Sequence, residues 1–188
     1  MSGADDDLRA RLERLEIRAE VTELLARYCR ALDTRDQQLY ATVFASDVRF
    51  RRTADGTEDR GRDALWEYLM AILAPMGPTL HTTTNSLEIG LDEDGRITSE
   101  HVGFAEHAVG DELVEAALTY RHTYARDAGG GLRITYRAIE PWYFARASDL
   151  HRHYGSRRAF WWQGTPPPTL PESSAAWQAF HGPSGAPA

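Results

Sequence analysis

The sequence predicts an α+β domain in which N-terminal helices pack on one face of a curved antiparallel sheet. Two observations predict it. Apolar residues recur at helical spacing through the first 73 of 188 residues. From residue 80 to about 147, alternating runs of strand type follow one another, separated only by turn sequences. Helices first and a strand meander second is the order of an α+β fold, not of alternating βα units. A curved sheet closed by a helix layer forms a cone whose mouth can hold a ligand, and the length suits one domain with a sizeable core.

The elements follow in order. Asp5, Asp6 and Asp7 stand where negative charge suits a helix N-terminus. Leu8, Leu12 and Leu15, then Val21, Leu24, Leu25, Tyr28 and Leu32, continue at helical spacing to about Asp33. A short second helix is expected to carry Leu39, Val43 and Phe44, and ASDVRFRR reads as a strand. RDALWEYLMAIL is a third helix with Leu65, Trp66, Leu69 and Leu73 on one face, stopped by Pro75. Asp94-Gly95 marks a hairpin between strands 80–91 and 96–109, Gly110-Asp111 turns the chain into 113–126, and DAGGG leads to 132–145. The domain spans 1–147. Residues 148–188 form a Pro- and Trp-rich extension, too apolar for a solvated tail, which is expected to drape over the domain, the pocket mouth or a neighbouring subunit.

Composition excludes several classes of function. The formal net charge is −7, with no basic block or aromatic–basic stripe, which speaks against nucleic acid as a partner. There is no lysine, so neither Schiff-base chemistry nor a P-loop is available. One cysteine, Cys29, rules out internal disulfides and multi-cysteine zinc sites. His151-x-His153 is an H-x-H pair for which no further metal ligand is evident, so no metal is expected. The first residues lack the pattern of a signal peptide, and Pro75, Gly77 and Pro78 break the least polar stretch, so a cytoplasmic protein without a membrane span is expected.

Two polar residues bracket the helical part. Asp33 ends the first helix, with the small residues Cys29, Ala26 and Thr22 on its side, a stripe that suits either a cavity or close packing. His81 opens the strand TLHTTTNSLEIG, on the side of Leu87 and Ile89. Each alone reads as readily as a solvated helix end or a satisfied strand histidine. His101 and His107 share one face of the next strand with Gly103 and Ala105, opposite Val102, Phe104 and Ala108. Either face suits a core.

The order YCRALDTRD, FASDVRF, G-R-x-A-x-x-x-Y-L, a histidine-led strand, a D-x-D-G hairpin and LRITYR resembles the nuclear transport factor 2-like superfamily. The branch is that of SnoaL-like polyketide cyclases and scytalone dehydratase, with bile-acid dehydratases and hexachlorocyclohexane dehydrochlorinase as relatives. The resemblance spans about residues 8–146 and implies a cystatin-like α+β barrel. It implies catalytic roles for Asp33 and His81 as a dyad, with His107 matching a second active-site histidine, His101 another ahead of it, and Tyr28 a tyrosine before the aspartate. Two departures stand out. Trp142 falls where relatives carry an arginine late in the last strand, with Arg146 further on, and Tyr120 falls where scytalone dehydratase has an asparagine.

These residues permit proton abstraction beside a carbonyl or conjugated ring by His81, oriented by Asp33, with His107 or Tyr28 donating to a departing hydroxyl. Phe50, Trp66, Leu69, Tyr120 and Trp142 are candidate walls for a flat apolar substrate, with His101 and Arg146 as further contacts. The expected activity is that of a dehydratase without cofactor. An isomerase or aldol-type cyclase would use the same base, and a non-catalytic binding cone is the alternative from another class. A homo-oligomer, dimer or trimer, is expected.

Overall fold

A computed structural model of the chain describes residues 3–53, 55–91, 96–150 and 175–181. Helix α1 (Gly3–Thr34) is followed by α2 (Gln37–Ala41), β1 (Phe44–Arg51), β2 (Glu58–Arg60) and α3 (Arg62–Leu73). Four long strands then run as a meander: β3 (Thr79–Leu91), β4 (Ile97–Val109), β5 (Glu112–Arg126) and β6 (Leu132–Arg146). A 3₁₀ turn, Ala147–Asp149, follows β6, and a short α4 (Ala175–His181) comes later in the chain. The rest of the extension, including His151, His153 and the proline run, lies outside the described residues.

The six strands form one sheet in the order β2-β1-β6-β5-β4-β3. Every pairing is antiparallel except that of β1 with β6, which is parallel, so the expected antiparallel sheet is found with one parallel pair in it. Two features of the second helix and the first strands also differ from expectation. Helix α2 starts at the Asp36 cap, whose carboxylate accepts from Leu39 N at 2.9 Å, and ends at Ala41, where the Thr42 N–H bonds Leu39 O and Tyr40 O; Phe44 already belongs to β1. The three-residue β2 has no apolar alternation to announce it; it forms by pairing Arg49 to Arg51 with Glu58 to Arg60.

The core lies between the helices and the concave face of the sheet. Helix α1 contributes Ile17, Val21, Leu24, Leu25, Tyr28 and Leu32, all buried. Helix α3 adds Leu65, Leu69 and Leu73, one turn apart. Gly61 (φ +111°) lets the chain enter α3 while its N–H bonds Val48 O at 2.8 Å. Before Ile17 the helix runs past the body of the domain, and Leu8, Leu12 and Leu15 are exposed.

Four bulges bend the long strands. In β3 they fall between Thr84 and Ser86 and between Ser86 and Glu88; in β6 Thr135 and Trp142 are the extra residues. Each bulge reverses which parity faces inward, so Ile89 returns to the side of His81 only because two intervene.

Candidate active site

Helix α1 ends where β3 begins, and that junction carries the site. The Asp33 carboxylate accepts hydrogen bonds from the His81 backbone N–H (3.0 Å), the Thr79 hydroxyl (3.0 Å) and His81 Nδ1 (2.6 Å). Arg35, in the left-handed region at φ 56°, turns the chain out of the helix. Its guanidinium donates to Leu32 O (2.6 Å) and Thr79 Oγ1 (2.8 Å), tying the helix end to the strand that bears His81. Both partners of the pair are largely shielded, the side chains of His81 and Asp33 being 8% and 16% exposed. Burial alone would raise the Asp33 pKa. The hydrogen bonds from the His81 ring and backbone, the charge of the ring and the Thr79 hydroxyl outweigh burial, holding the carboxyl below its ordinary value. With Nδ1–H given to the carboxylate, Nε2 is the nitrogen left to accept a proton.

His81 borders a cavity of about 140 Å³ between α1, α3 and the sheet. His107 lies beside it, the two rings edge to face with centroids 5.3 Å apart. Burial, then the neighbouring His81, lowers the His107 pKa to about 4, and its Nδ1 has no hydrogen-bond partner among the described residues. Most of the remaining wall is apolar, with Leu32, Leu69, Ile72 and Met76 from the helical side and Leu118, Ile139 and Phe144 from the sheet, while Thr53 and Tyr68 add polar groups. Tyr28 and Tyr120 also border it, their rings in a T-shaped contact at 6.1 Å. Burial raises the Tyr28 pKa, with Arg137 acting against it.

Arg137 is the residue that sequence reasoning missed. It is 1% exposed and borders the cavity, and its Nη2 donates to the Tyr28 hydroxyl at 3.1 Å. Nε and Nη1 have no partner among the described residues, and no ion pair of Arg137 with a carboxylate occurs there. A guanidinium cannot shed its charge, and a buried charge without a counter-ion costs several kcal/mol. The cavity therefore presents a cation to whatever enters it. The alternation Leu132, Ile134 would turn Tyr136 inward and Arg137 to solvent; the bulge at Thr135 reverses this.

The other expected residues divide. Tyr28, Asp33, Leu69, His81, His107 and Tyr120 converge on the cavity or its rim. Five do not line it. Phe50 is buried against Tyr68, and Trp66 packs on Tyr40. Trp142, the second bulge residue of β6, points to the convex face and donates to Thr119 Oγ1 at 2.7 Å. Arg146 pairs with Glu112 at 2.8 Å. His101 faces inward but lies deeper, in hydrogen-bonding contact with Ser99, Ser86 and Tyr124. Of the small-residue stripe on α1, Thr22 and Ala26 face solvent; the cavity is bounded by the bulky Tyr28 and Leu32 instead. The face shared by His101, Gly103, Ala105 and His107 is the inner one, while Phe104 is 45% exposed.

Among the described residues no cluster of three or more His, Cys, Asp or Glu could hold a metal ion, and no helix is long and apolar enough to cross a membrane.

Residues 13–138 match the family described as the SnoaL-like domain. The chain belongs to the SnoaL-like domain family. Its α1 and six-stranded, mostly antiparallel sheet form the cone of the nuclear transport factor 2-like fold. Solved structures show the same cone. The hexachlorocyclohexane dehydrochlorinase LinA type 2 is 20% identical (TM-score 0.63), the match covering 72% of this chain and 91% of that one. A Novosphingobium aromaticivorans protein provisionally named a scytalone dehydratase is 21% identical (TM-score 0.60; 78% and 92%). ActVI-ORFA from Streptomyces coelicolor is 21% identical (TM-score 0.59; 67% and 97%). At these identities the likeness is one of fold. A search of curated proteins finds no match to the chain.

Proposed function

We propose that this SnoaL-like protein is a lyase that removes water from a small hydroxy-carbonyl compound, with Asp33 and His81 as its proton-abstracting pair. The observation that carries the reading is the 2.6 Å contact between Asp33 Oδ1 and His81 Nδ1 at the edge of an apolar cavity. That contact orients the ring, fixes the tautomer and stabilises the imidazolium formed on proton abstraction. Two of the structural relatives are named for elimination chemistry, a dehydrochlorinase and a provisional scytalone dehydratase, which favours the same class here.

In this reading His81 Nε2 takes the proton from the carbon beside the carbonyl. The electron pair moves onto the carbonyl oxygen, where the Arg137 guanidinium offsets the developing charge. The carbon–oxygen bond at the next carbon then breaks, and the leaving hydroxyl receives a proton from Tyr28 and departs as water; His107, held neutral by burial, orients that hydroxyl by a hydrogen bond. Burial keeps the Tyr28 hydroxyl protonated at neutral pH, and the Arg137 contact favours the phenolate left behind. His81 returns its proton to solvent at the rim, and Tyr28 takes up one in exchange, which restores both groups. A cavity of about 140 Å³ resembles in size one that accepts benzene, so the part of the substrate enclosed is one ring or its equivalent.

The test is a panel of monocyclic β-hydroxy ketones and hydroxy-dihydroaromatic compounds, with the conjugated product followed by its ultraviolet absorbance. Asp33→Asn and His81→Gln are expected to lower the rate about 10²- to 10⁴-fold, the range for loss of general-base assistance. Turnover that survives both substitutions would remove the pair from the chemistry. Rearranged product without water loss would favour the isomerase or cyclase reading of the same base.

A further inference from the structure

Behind the wall formed by Tyr28, Tyr120 and Arg137 lies a second polar assembly that the proposed reaction does not use. Ser86, exposed on β3, touches His101 Nδ1 at 3.2 Å. His101 Nε2 meets Ser99 Oγ at 2.6 Å, and Ser99 Oγ meets the Tyr124 hydroxyl at 2.7 Å. The Tyr124 hydroxyl reaches His122 Nδ1 at 3.4 Å, the longest step of the series. His122 Nε2 then has no hydrogen-bond partner among the described residues. The ring is 2% exposed, its centroid 5.8 Å from that of Tyr120 and 6.5 Å from that of Tyr28, and it lies opposite Arg137 in the β5–β6 register.

We propose that Ser99, His101, Tyr124 and His122 form a proton relay between solvent at Ser86 and the buried end of the cavity at Arg137. Every member both donates and accepts. Serine and tyrosine hydroxyls do so by nature, and a neutral imidazole does so through its two nitrogens. Both rings are held neutral: burial lowers the His101 pKa to about 4, and burial with the nearby His101 and Arg137 holds His122 well below its ordinary value. No carboxylate or guanidinium interrupts the series. One polarity satisfies every contact: Ser86 O–H to His101 Nδ1, His101 Nε2–H to Ser99, Ser99 O–H to Tyr124, Tyr124 O–H to His122 Nδ1, leaving His122 Nε2–H to donate.

A network that served packing alone would be satisfied at both ends. Here the inner end is open, and the neighbouring Arg137 Nε and Nη1 are open as well. His122 does not itself border the cavity, but Arg137, its cross-strand neighbour, does, so in this proposal the acceptor is an oxygen, of substrate or of water, held beside Arg137. When that oxygen takes the His122 proton, each proton behind it moves one link forward and bulk water replaces the one lost from Ser86. The chain carries no net charge afterwards, and it resets when the hydroxyls and tautomers reorient. Its use in turnover rests on the proposed lyase reading, since it would restore a proton given to the leaving oxygen. Its ability to conduct does not rest on that reading.

The experiment reads conduction without substrate. In protein labelled with ¹⁵N-histidine, long-range spectra assign the tautomers, and saturation transfer from water measures exchange of the His122 N–H. His101 and His122 are expected to carry their protons on the same nitrogen, Nε2. Exchange at His122 is expected to slow at least tenfold in Ser99→Ala and in Tyr124→Phe, and to recover in Ser99→Thr, which keeps the hydroxyl. Mere loosening of the structure would speed exchange, so the sign separates the two causes. Protons on opposite nitrogens of the two rings, or exchange that is unchanged or faster in both variants, would overturn the relay. Failure of the lyase reading would leave all these readouts as they are.

Discussion

Replacing Gly103 by alanine tests how tightly the cavity wall is built. A Cβ at this position would lie 2.3 Å from Tyr120 Cε2, 3.0 Å from Cδ2 and 3.3 Å from Thr82 O. Carbon atoms in contact stand about 3.5–4.0 Å apart, so the ring must move by roughly 1.2 Å or more. Its neighbours leave one direction. Tyr28 stands across it at 6.1 Å and His122 at 5.8 Å between centroids, whereas the other side is the cavity. Overpacking of this kind costs about 1–3 kcal/mol, and alanine regains about 0.5–1 kcal/mol over glycine in a strand. The net expectation is about 0.5–1 kcal/mol of destabilisation in urea unfolding, taking the lower of these costs with the lower gain and the middle with the higher. Binding of phenol or benzene, followed by the shift in Tm, should weaken as the ring occupies the cavity. The same substitution in a Tyr120→Leu background should cost nothing, giving a coupling of about 0.5–1 kcal/mol in the double-mutant cycle. If Gly103→Ala is as stable as the parent and binds the probe equally well, the glycine does not set the wall.

The remaining predictions concern charge and the helix–strand junction. Arg137→Met should leave stability unchanged or raise it by about 1–4 kcal/mol, because a buried charge is exchanged for an apolar side chain of similar size; the proposed turnover should fall steeply, and urea unfolding beside rate measurement separates the two effects. His101 and His107, each lowered to about 4, make the unfolded chain the better proton binder below its histidine pKa. Stability should therefore fall as pH drops from about 6.5 towards 4, by on the order of 3 kcal/mol per ring at the acid end, and His107→Gln should flatten part of that slope in a series of urea midpoints. Asp33 adds to the acid loss lower down: its contribution is complete above the unfolded carboxyl value and disappears as pH falls through its depressed folded value. Arg35→Gly and Arg35→Ala both lose the bonds to Leu32 O and Thr79, but glycine accepts φ 56° freely and should be about 1 kcal/mol the more stable of the two in urea unfolding.

How far the sequence foretold the molecule depends on what carries the signal. Helix α3 was legible residue for residue, because Leu65, Leu69 and Leu73 repeat one turn apart and Pro75 follows. The meander was legible from its alternation and turns, with Gly110 at φ 60° where the β4–β5 turn was expected. The meeting of Asp33 with His81 rested on the order of motifs, since neither residue alone distinguishes a buried pair from a solvated helix end. What stayed hidden follows from the bulges. Two-residue periodicity assigns Arg137 to solvent and gives no hint that Trp142 leaves the cavity face, because one extra residue at Thr135 and another at Trp142 shift the parity twice. The parallel β1–β6 pairing was equally hidden, as no local pattern records which distant strand lies alongside β1.

That pairing has a consequence for how the chain reaches its folded form. The β3–β4, β4–β5 and β5–β6 neighbours are hairpins that can close locally as soon as each strand exists, but Phe44 lies opposite Ile134 and Phe50 opposite Arg137. During synthesis β1 must wait for the last strand of the domain to emerge. The added entropy of so long a loop is small, about 0.6 kcal/mol for each doubling in length, yet distant partners slow the search itself. Pulse-labelled refolding should show β1 amides protected after those of β4 and β5. Until then Phe44, Val48 and Phe50, fully buried at the end, remain open to association with other unfinished chains.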